Sequence, residues 1–133
     1  MAPPPLAELD HIAIVVASPD DAVDFYRRIL GAPADAFTAE DGRLRRAIRI
    51  GGIKINLVEE GSRLPPGLHA PVRGSGHFCV MTYAPLSEWR DHLQAQGVML
   101  EAENLRRTGL RGPMTSLFFR DLDRNLVEIA RYE

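Results

Sequence analysis

Three residues stand out for the chemistry they could do: His11, His77 and Glu128. His11 opens the β-branched run HIAIVV. His77 opens the apolar run HFCVM behind the flexible stretch RGSG, and Glu128 lies inside LVEIARY. A strand that only filled a core would carry Val or Ile at these places. Side chains alternate between the two faces of a strand. On that parity His11 shares a face with Ala13 and Val15, His77 with Cys79 and Met81, and Glu128 with Leu126 and Ala130. The bulky aliphatic residues take the opposite face. Three strands can thus each offer one donor to a common cleft. Two imidazoles and a carboxylate form a ligand set for one divalent transition metal with open coordination positions. An ionised Glu inside an apolar strand, left without such a partner, would cost several kcal/mol.

The string NLVE occurs twice, at 56–59 and 125–128. Alignment by letters makes Glu59 the counterpart of Glu128. Face parity does not, because Glu59 falls on the side of Ile55 and Leu57; Asn56 is the residue on the matching side. Asn is a poor ligand for these metals and suits hydrogen bonding to a bound substrate or water. Cys79 shares the face of His77, where it either lines the cleft or serves as a small buried hydrophobe. Arg106, Arg107 and Arg111, with Gly109 and Gly112, read as a polar loop over 104–114. That loop is either a lid whose Arg111 binds an anionic substrate group, or a solvated loop or dimer contact. His69 and His92 lack ligand-type context, and His92 reads as a surface residue. Arg43, Arg45, Arg46 and Arg49 read as a solvated, basic strand edge.

The elements that position these residues recur in the same order. A strand at 11–16 leads into a helix punctuated by Ser18 as N-cap, Pro19 at its first position, Asp20 and Asp21 in the first turn, Arg27 and Arg28 in the last, and Gly31 beyond. Strands follow at about 43–50 and 53–58, with a weaker one at 34–38. From His77 the order repeats: a strand at 77–82, a helix at 86–96 ended by Gly97, and strands near 98–102, 115–120 and 126–131. His77 follows His11 by 66 residues, and Gly97 follows Gly31 by the same 66. The spacing predicts an α+β fold of two tandem βαβββ modules forming a curved, half-barrel mixed sheet with helices on its outer face. The modules span 9–60 and 77–132, with a Pro- and Gly-rich linker at 61–76, in a single domain over 1–133.

The chain has 133 residues, 45% hydrophobic and 26% charged, with a net charge of −2. That balance favours neither nucleic acid nor an anionic membrane as partner. The longest apolar run, Ile12 to Ala17, is too short to span a bilayer. The opening MAPPPLAELD lacks the regions of a signal peptide and, with Pro3 to Pro5, suggests an extended tail. One cysteine, Cys79, excludes an intramolecular disulfide and points to a reducing cytoplasm.

The segments LDHIAIVVASPDDAVDFYRRILG, GSGHFCVM and FFRDLDRNLVEIARY resemble the vicinal oxygen chelate superfamily. It includes glyoxalase I, fosfomycin-resistance proteins, methylmalonyl-CoA epimerase, extradiol dioxygenases and bleomycin-resistance proteins. The KINL strand and the RTGLRGP stretch are most similar to small single-domain glyoxalase-like members. The resemblance implies that His11, His77 and Glu128 hold one divalent metal (Fe, Mn, Zn, Ni or Co), and that Glu128 also moves protons. It implies a small substrate chelating the metal through two oxygens, a lyase, isomerase, transferase or ring-cleaving dioxygenase activity, and a homodimer. A fourth protein ligand of glyoxalase I type would stand at Asn56, which departs from that pattern. The family turn Asp-Pro-Asp-Gly-Asn here has Leu122 in place of Pro and Arg124 in place of Gly; a positive φ at Arg124 would cost roughly 1 kcal/mol, and the turn is expected to survive. The alternative function is a metal-free binding or sequestering protein of the bleomycin-resistance type.

Overall fold

The helix punctuation works as its residue types require. In the computed structural model, which describes residues 2–62 and 65–133, β1 (His11–Val16) is followed by α1 (Pro19–Leu30). The Asp21 amide donates to Ser18 Oγ at 3.2 Å, and Gly31 takes the left-handed conformation at φ 67° that ends the helix. β2 (Ala34–Thr38), β3 (Leu44–Ile50) and β4 (Ile53–Glu59) complete the first module. The second repeats the order with β5 (His77–Met81), α2 (Leu86–Ala95), β6 (Leu100–Gly109), β7 (Gly112–Arg120) and β8 (Leu126–Tyr132).

Each module forms a four-stranded mixed sheet, ordered β1-β4-β3-β2 and β5-β8-β7-β6. The first strand of each module lies parallel to the last, and the remaining pairs are antiparallel. The fold is α+β, two βαβββ modules, as the 66-residue repeat predicts. The bulky faces of both sheets and both helices meet in one core that holds Ile14, Val16, Tyr26, Ile55 and Leu57 together with Phe78, Leu93, Leu117, Phe119 and Val127.

Several polar contacts between the modules are made by the β7–β8 turn. Asn125, fully buried, donates through Nδ2 to the Val15 carbonyl at 3.1 Å and accepts the Gly76 amide at 2.9 Å. Asp123 accepts the Ala17 amide at 2.9 Å. Tyr26, also fully buried, donates to Asp121 Oδ2 at 2.6 Å. Burial and the neighbouring Asp121 carboxylate raise the Tyr26 phenol far above its ordinary range, so it remains a donor. Position 76 has to be glycine: a Cβ there would stand 2.9 Å from Asn125 Oδ1 and 3.0 Å from Ile14. Arg124 takes φ 73° in the β7–β8 turn.

Three sequence readings are corrected. The polar stretch 104–114 is a β-hairpin rather than a loop; β6 is an edge strand that needs only backbone pairing with β7, so it can carry polar side chains on both faces. Its register shifts between Ala102 and Leu105, where Asn104 takes φ 57°. The arginines of β3 do not lie on an edge, because β2 covers that side; Arg45, Arg46 and Arg49 pair with Asp41, Asp20 and Asp35. His92 is half-buried between the modules, with Nε2 donating to the Ile29 carbonyl at 2.8 Å. Of the expected 61–76 linker, residues 63 and 64 lie outside the described residues.

Removing the Tyr26 hydroxyl leaves the Asp121 carboxylate short of a buried donor. Tyr26→Phe should therefore lower unfolding free energy by about 1–3 kcal/mol, read as a lower urea midpoint at unchanged m-value.

Candidate metal and substrate site

β5 and β8 run parallel with Cys79 opposite Glu128 and His77 opposite Leu126. The alternation that buries Phe78, Val127 and Ile129 in the core turns His77, Cys79 and Glu128 to the other face of the sheet. There His77 Nε2 stands 3.0 Å from Glu128 Oε1. The second carboxylate oxygen accepts the Ser116 hydroxyl at 2.6 Å. Glu128 is only 4% exposed, so both oxygens need these partners. Phe118 lies opposite Glu128 on β7, with its ring 6.3 Å from that of His77. Half of the His77 side chain is exposed, which leaves the pair open to solvent on one side.

Cys79 is an exposed residue, yet desolvation of its thiol and the adjacent Glu128 carboxylate push it up to about 12. It stays a thiol at neutral pH. Arg111 lies with its guanidinium 4.7 Å from the Tyr132 ring centre and its amide bonded to the Tyr132 hydroxyl. Arg107 lies 5.3 Å from the ring centre of Phe118, the residue beside Glu128. Arg107 thus sits over Phe118, and Arg111 Nη2 lies 3.5 Å from Sδ of Met81 on the His77 face.

The first sheet carries the other half of the predicted set. His11 stands opposite Lys54 at the end of β1, and its Nδ1 donates to Asp10 Oδ2 at 2.8 Å. That hydrogen bond, and the charge of His11, hold the Asp10 carboxyl below its ordinary value. Asn56 stands opposite Ala13, on the His11 face. The pairing of Asn56 with Ala13 repeats that of Glu128 with Cys79, as the parity argument requires, while Glu59 stands opposite the core residue Val16. Asn56 Oδ1 is buried without a hydrogen-bond partner among the described residues.

His77 and Glu128 are brought together; His11 is not brought to them. No group of three or more His, Cys, Asp or Glu among the described residues of one chain could hold a metal ion. Residues from the bulky faces of both sheets join one shared core, while His11 stands on the other face of the first sheet and His77 and Glu128 on the other face of the second. Ser116 was missed from sequence. It alternates with Met114 and Phe118 along β7, and parity within that strand would have placed it beside Glu128.

The family model described as "Glyoxalase/Bleomycin resistance protein/Dioxygenase superfamily" matches residues 8–129. The chain belongs to this superfamily. A glyoxalase domain-containing protein, RDO1 of Mycosarcoma maydis, is 34% identical over 94% of this chain and 68% of its own length. An integron cassette protein from V. cholerae is 35% identical, covering 99% of this chain and 100% of its own, with a TM-score of 0.88. The fosfomycin resistance protein FosX of Listeria monocytogenes, solved with Mn(II) and sulfate, shares the fold at 22% identity and a TM-score of 0.67, over 96% of this chain and 92% of its own. No helix among the described residues is long and apolar enough to cross a membrane.

The raised thiol sets a measurable reactivity. In metal-free protein at pH 8, Cys79 should react with iodoacetamide at least about 100-fold more slowly than free cysteine, because its thiolate fraction is so small. Glu128→Gln, which removes the adjacent charge, should accelerate alkylation. Equal rates in the two proteins would contradict this account of the thiol.

Proposed function

We propose that this protein is a metal-dependent enzyme acting on a small substrate that presents two oxygens to one divalent ion. His77 and Glu128 of one copy and His11 of a second copy would be the protein ligands. The observation that carries the reading is the 3.0 Å approach of His77 Nε2 to Glu128 Oε1 on a solvent-open sheet face. Donors bonded at about 2.1 Å to a common ion at near-right angles stand about 3 Å apart, so this pair fits two adjacent ligand positions. The third donor fits as well. Asp10 engages Nδ1 of His11 and leaves Nε2 free, the arrangement by which carboxylates orient metal-binding imidazoles.

The second copy follows from the faces. Within one chain the described residues form no cluster of three donors, and His11 lies on a different sheet from His77 and Glu128. A two-fold dimer that sets the first sheet of each copy against the second sheet of the other would place His11 beside His77 and Glu128 twice over. A bound ion of iron, manganese, zinc, nickel or cobalt would supply Lewis-acid polarisation of the substrate oxygens. Glu128 is the group placed to take and return a substrate proton, with Ser116 holding its second oxygen. Asn56 would hydrogen-bond the substrate, the protonated Cys79 would form part of the wall, and Arg107 and Arg111 would steer an anionic group at the rim. FosX is a neighbour whose structure holds Mn(II). The metal retained on purification separates the reaction classes: iron points to ring-cleaving dioxygenase chemistry, the others to lyase, isomerase or transferase chemistry. A reducing cytoplasm suits the single free thiol.

The second reading is a metal-free binding protein, favoured by the fact that one chain assembles only two of the three donors. Metal analysis decides between them. Protein purified without chelator should carry about one ion per chain, and His77→Ala should lose most of it. Mixing unfolded His11→Ala and Glu128→Gln chains and refolding them together should restore metal to about a quarter of the sites, since half the dimers are mixed and each has one intact site. No metal in the native protein supports the binder. Metal in the native protein with no restoration on mixing removes the shared site.

A further inference from the structure

Between the polar face of the first sheet and the segment 66–71 lies a cavity of about 310 Å3. Phe37, Val58, Pro66 and Leu68 give it apolar walls, and Glu40, Arg45, Arg46, Asn56 and Ser62 contribute polar groups. The register shows how it is built. Across the sheet, Asn56 lies between Ala47 on β3 and Ala13 on β1. Two methyl-sized neighbours leave the carboxamide standing alone at the centre of the face. On one side of this row stand Lys54 and His11, and Lys54 reaches back so that its Nζ lies 4.2 Å from the centre of the Phe37 ring. On the other, Val58 and Phe37 lead into the cavity. Arg45 is already held by Asp41 at 2.6 Å, so its charge is matched within the protein. Among the described residues, Asn56 Oδ1 is buried and accepts nothing, and Arg46 Nε, on another residue of the lining, is buried without an acceptor. A buried acceptor without a donor costs about 1–3 kcal/mol, and small-molecule sites typically combine apolar walls with a few unsatisfied polar groups of this kind.

We infer that the substrate of this site is an amphipathic molecule. A hydrophobic ring or branched alkyl body, on the order of ten carbon atoms, fills the Phe37–Val58–Leu68 cavity. An O–H or N–H attached to that body donates to Asn56 Oδ1, and the metal-chelating oxygens lie toward His11. The inference rests on the reading of this face as an active site and adds what the ligand donors alone do not specify. A small, wholly polar substrate would leave the apolar walls wet and Asn56 Oδ1 without a donor.

The test uses metal-free protein, so that its outcome is independent of metal binding. 2-Naphthol supplies a bicyclic body with one O–H, and 2-methoxynaphthalene the same body without the donor. Titration followed by amide 1H–15N spectra should give saturable shifts at Phe37, Asn56, Val58 and Leu68, with the methoxy compound bound roughly tenfold more weakly. Asn56→Leu should equalise the two compounds. Val58→Trp, which fills the cavity, should weaken both about tenfold or more, with the second-module resonances unchanged as the folding control. Shifts confined to other faces, no saturable binding, equal affinities in the native protein, or indifference to Val58→Trp would overturn the inference. Naphthol binding in a protein that retains no metal would uphold the cavity and remove the metal reading; metal without naphthol binding would do the reverse.

Discussion

The buried carboxamide of Asn125 is the constraint on which the arrangement depends. It reaches the end of β1 through the Val15 carbonyl, the entry to β5 through the Gly76 amide, and its own turn through Asp121. A fully buried amide must satisfy its donors and acceptor inside the protein, and each group left unpaired costs about 1–3 kcal/mol. These requirements hold the two modules in one relative placement. Gly76 carries no Cβ because the amide and Ile14 occupy that space. With the modules so held, their bulky faces close one core and their polar faces turn outward. Everything proposed about a shared site follows from that outward orientation.

The same turn sets the position of Glu128. Three residues beyond Asn125, the acid enters β8 on the polar face, where His77 and Ser116 take one oxygen each. The carboxylate is nearly inaccessible while its imidazole partner is half exposed. A buried acid with one half-exposed partner differs from a structural ion pair sealed in a core. Its charge also reaches Cys79 and, with desolvation, keeps that thiol protonated. The site is therefore acidic and hydrogen-bonded, without a ready sulfur nucleophile.

The internal repeat supplies two nearly equivalent scaffolds and then separates their chemistry. Asn56 holds in the first sheet the place that Glu128 holds in the second. The first sheet has a neutral amide flanked by alanines and an apolar cavity beside it. The second has an acid flanked by a histidine, a serine and an aromatic ring. One face is suited to holding the body of a small molecule, the other to holding charge and protons.

Alternation and helix punctuation were enough to derive the two modules, the capping of α1, the faces of His11, His77 and Glu128, and the choice of Asn56 over Glu59. Each depends on contacts a few residues apart or on a two-residue period, and such rules are local. Strands near 98–102 and 115–120 were legible, but their continuation through 104–114 was not, because an edge strand is made by backbone pairing and its polar side chains carry no period. Nor was the burial of His92, whose partner Ile29 is 63 residues away. The sequence by itself determined which side chains share a face, and hence which donors could serve a metal. Only the tertiary structure decided that two of the three meet within one chain, because the relative placement of the two sheets is set by packing between distant modules, which no local pattern encodes.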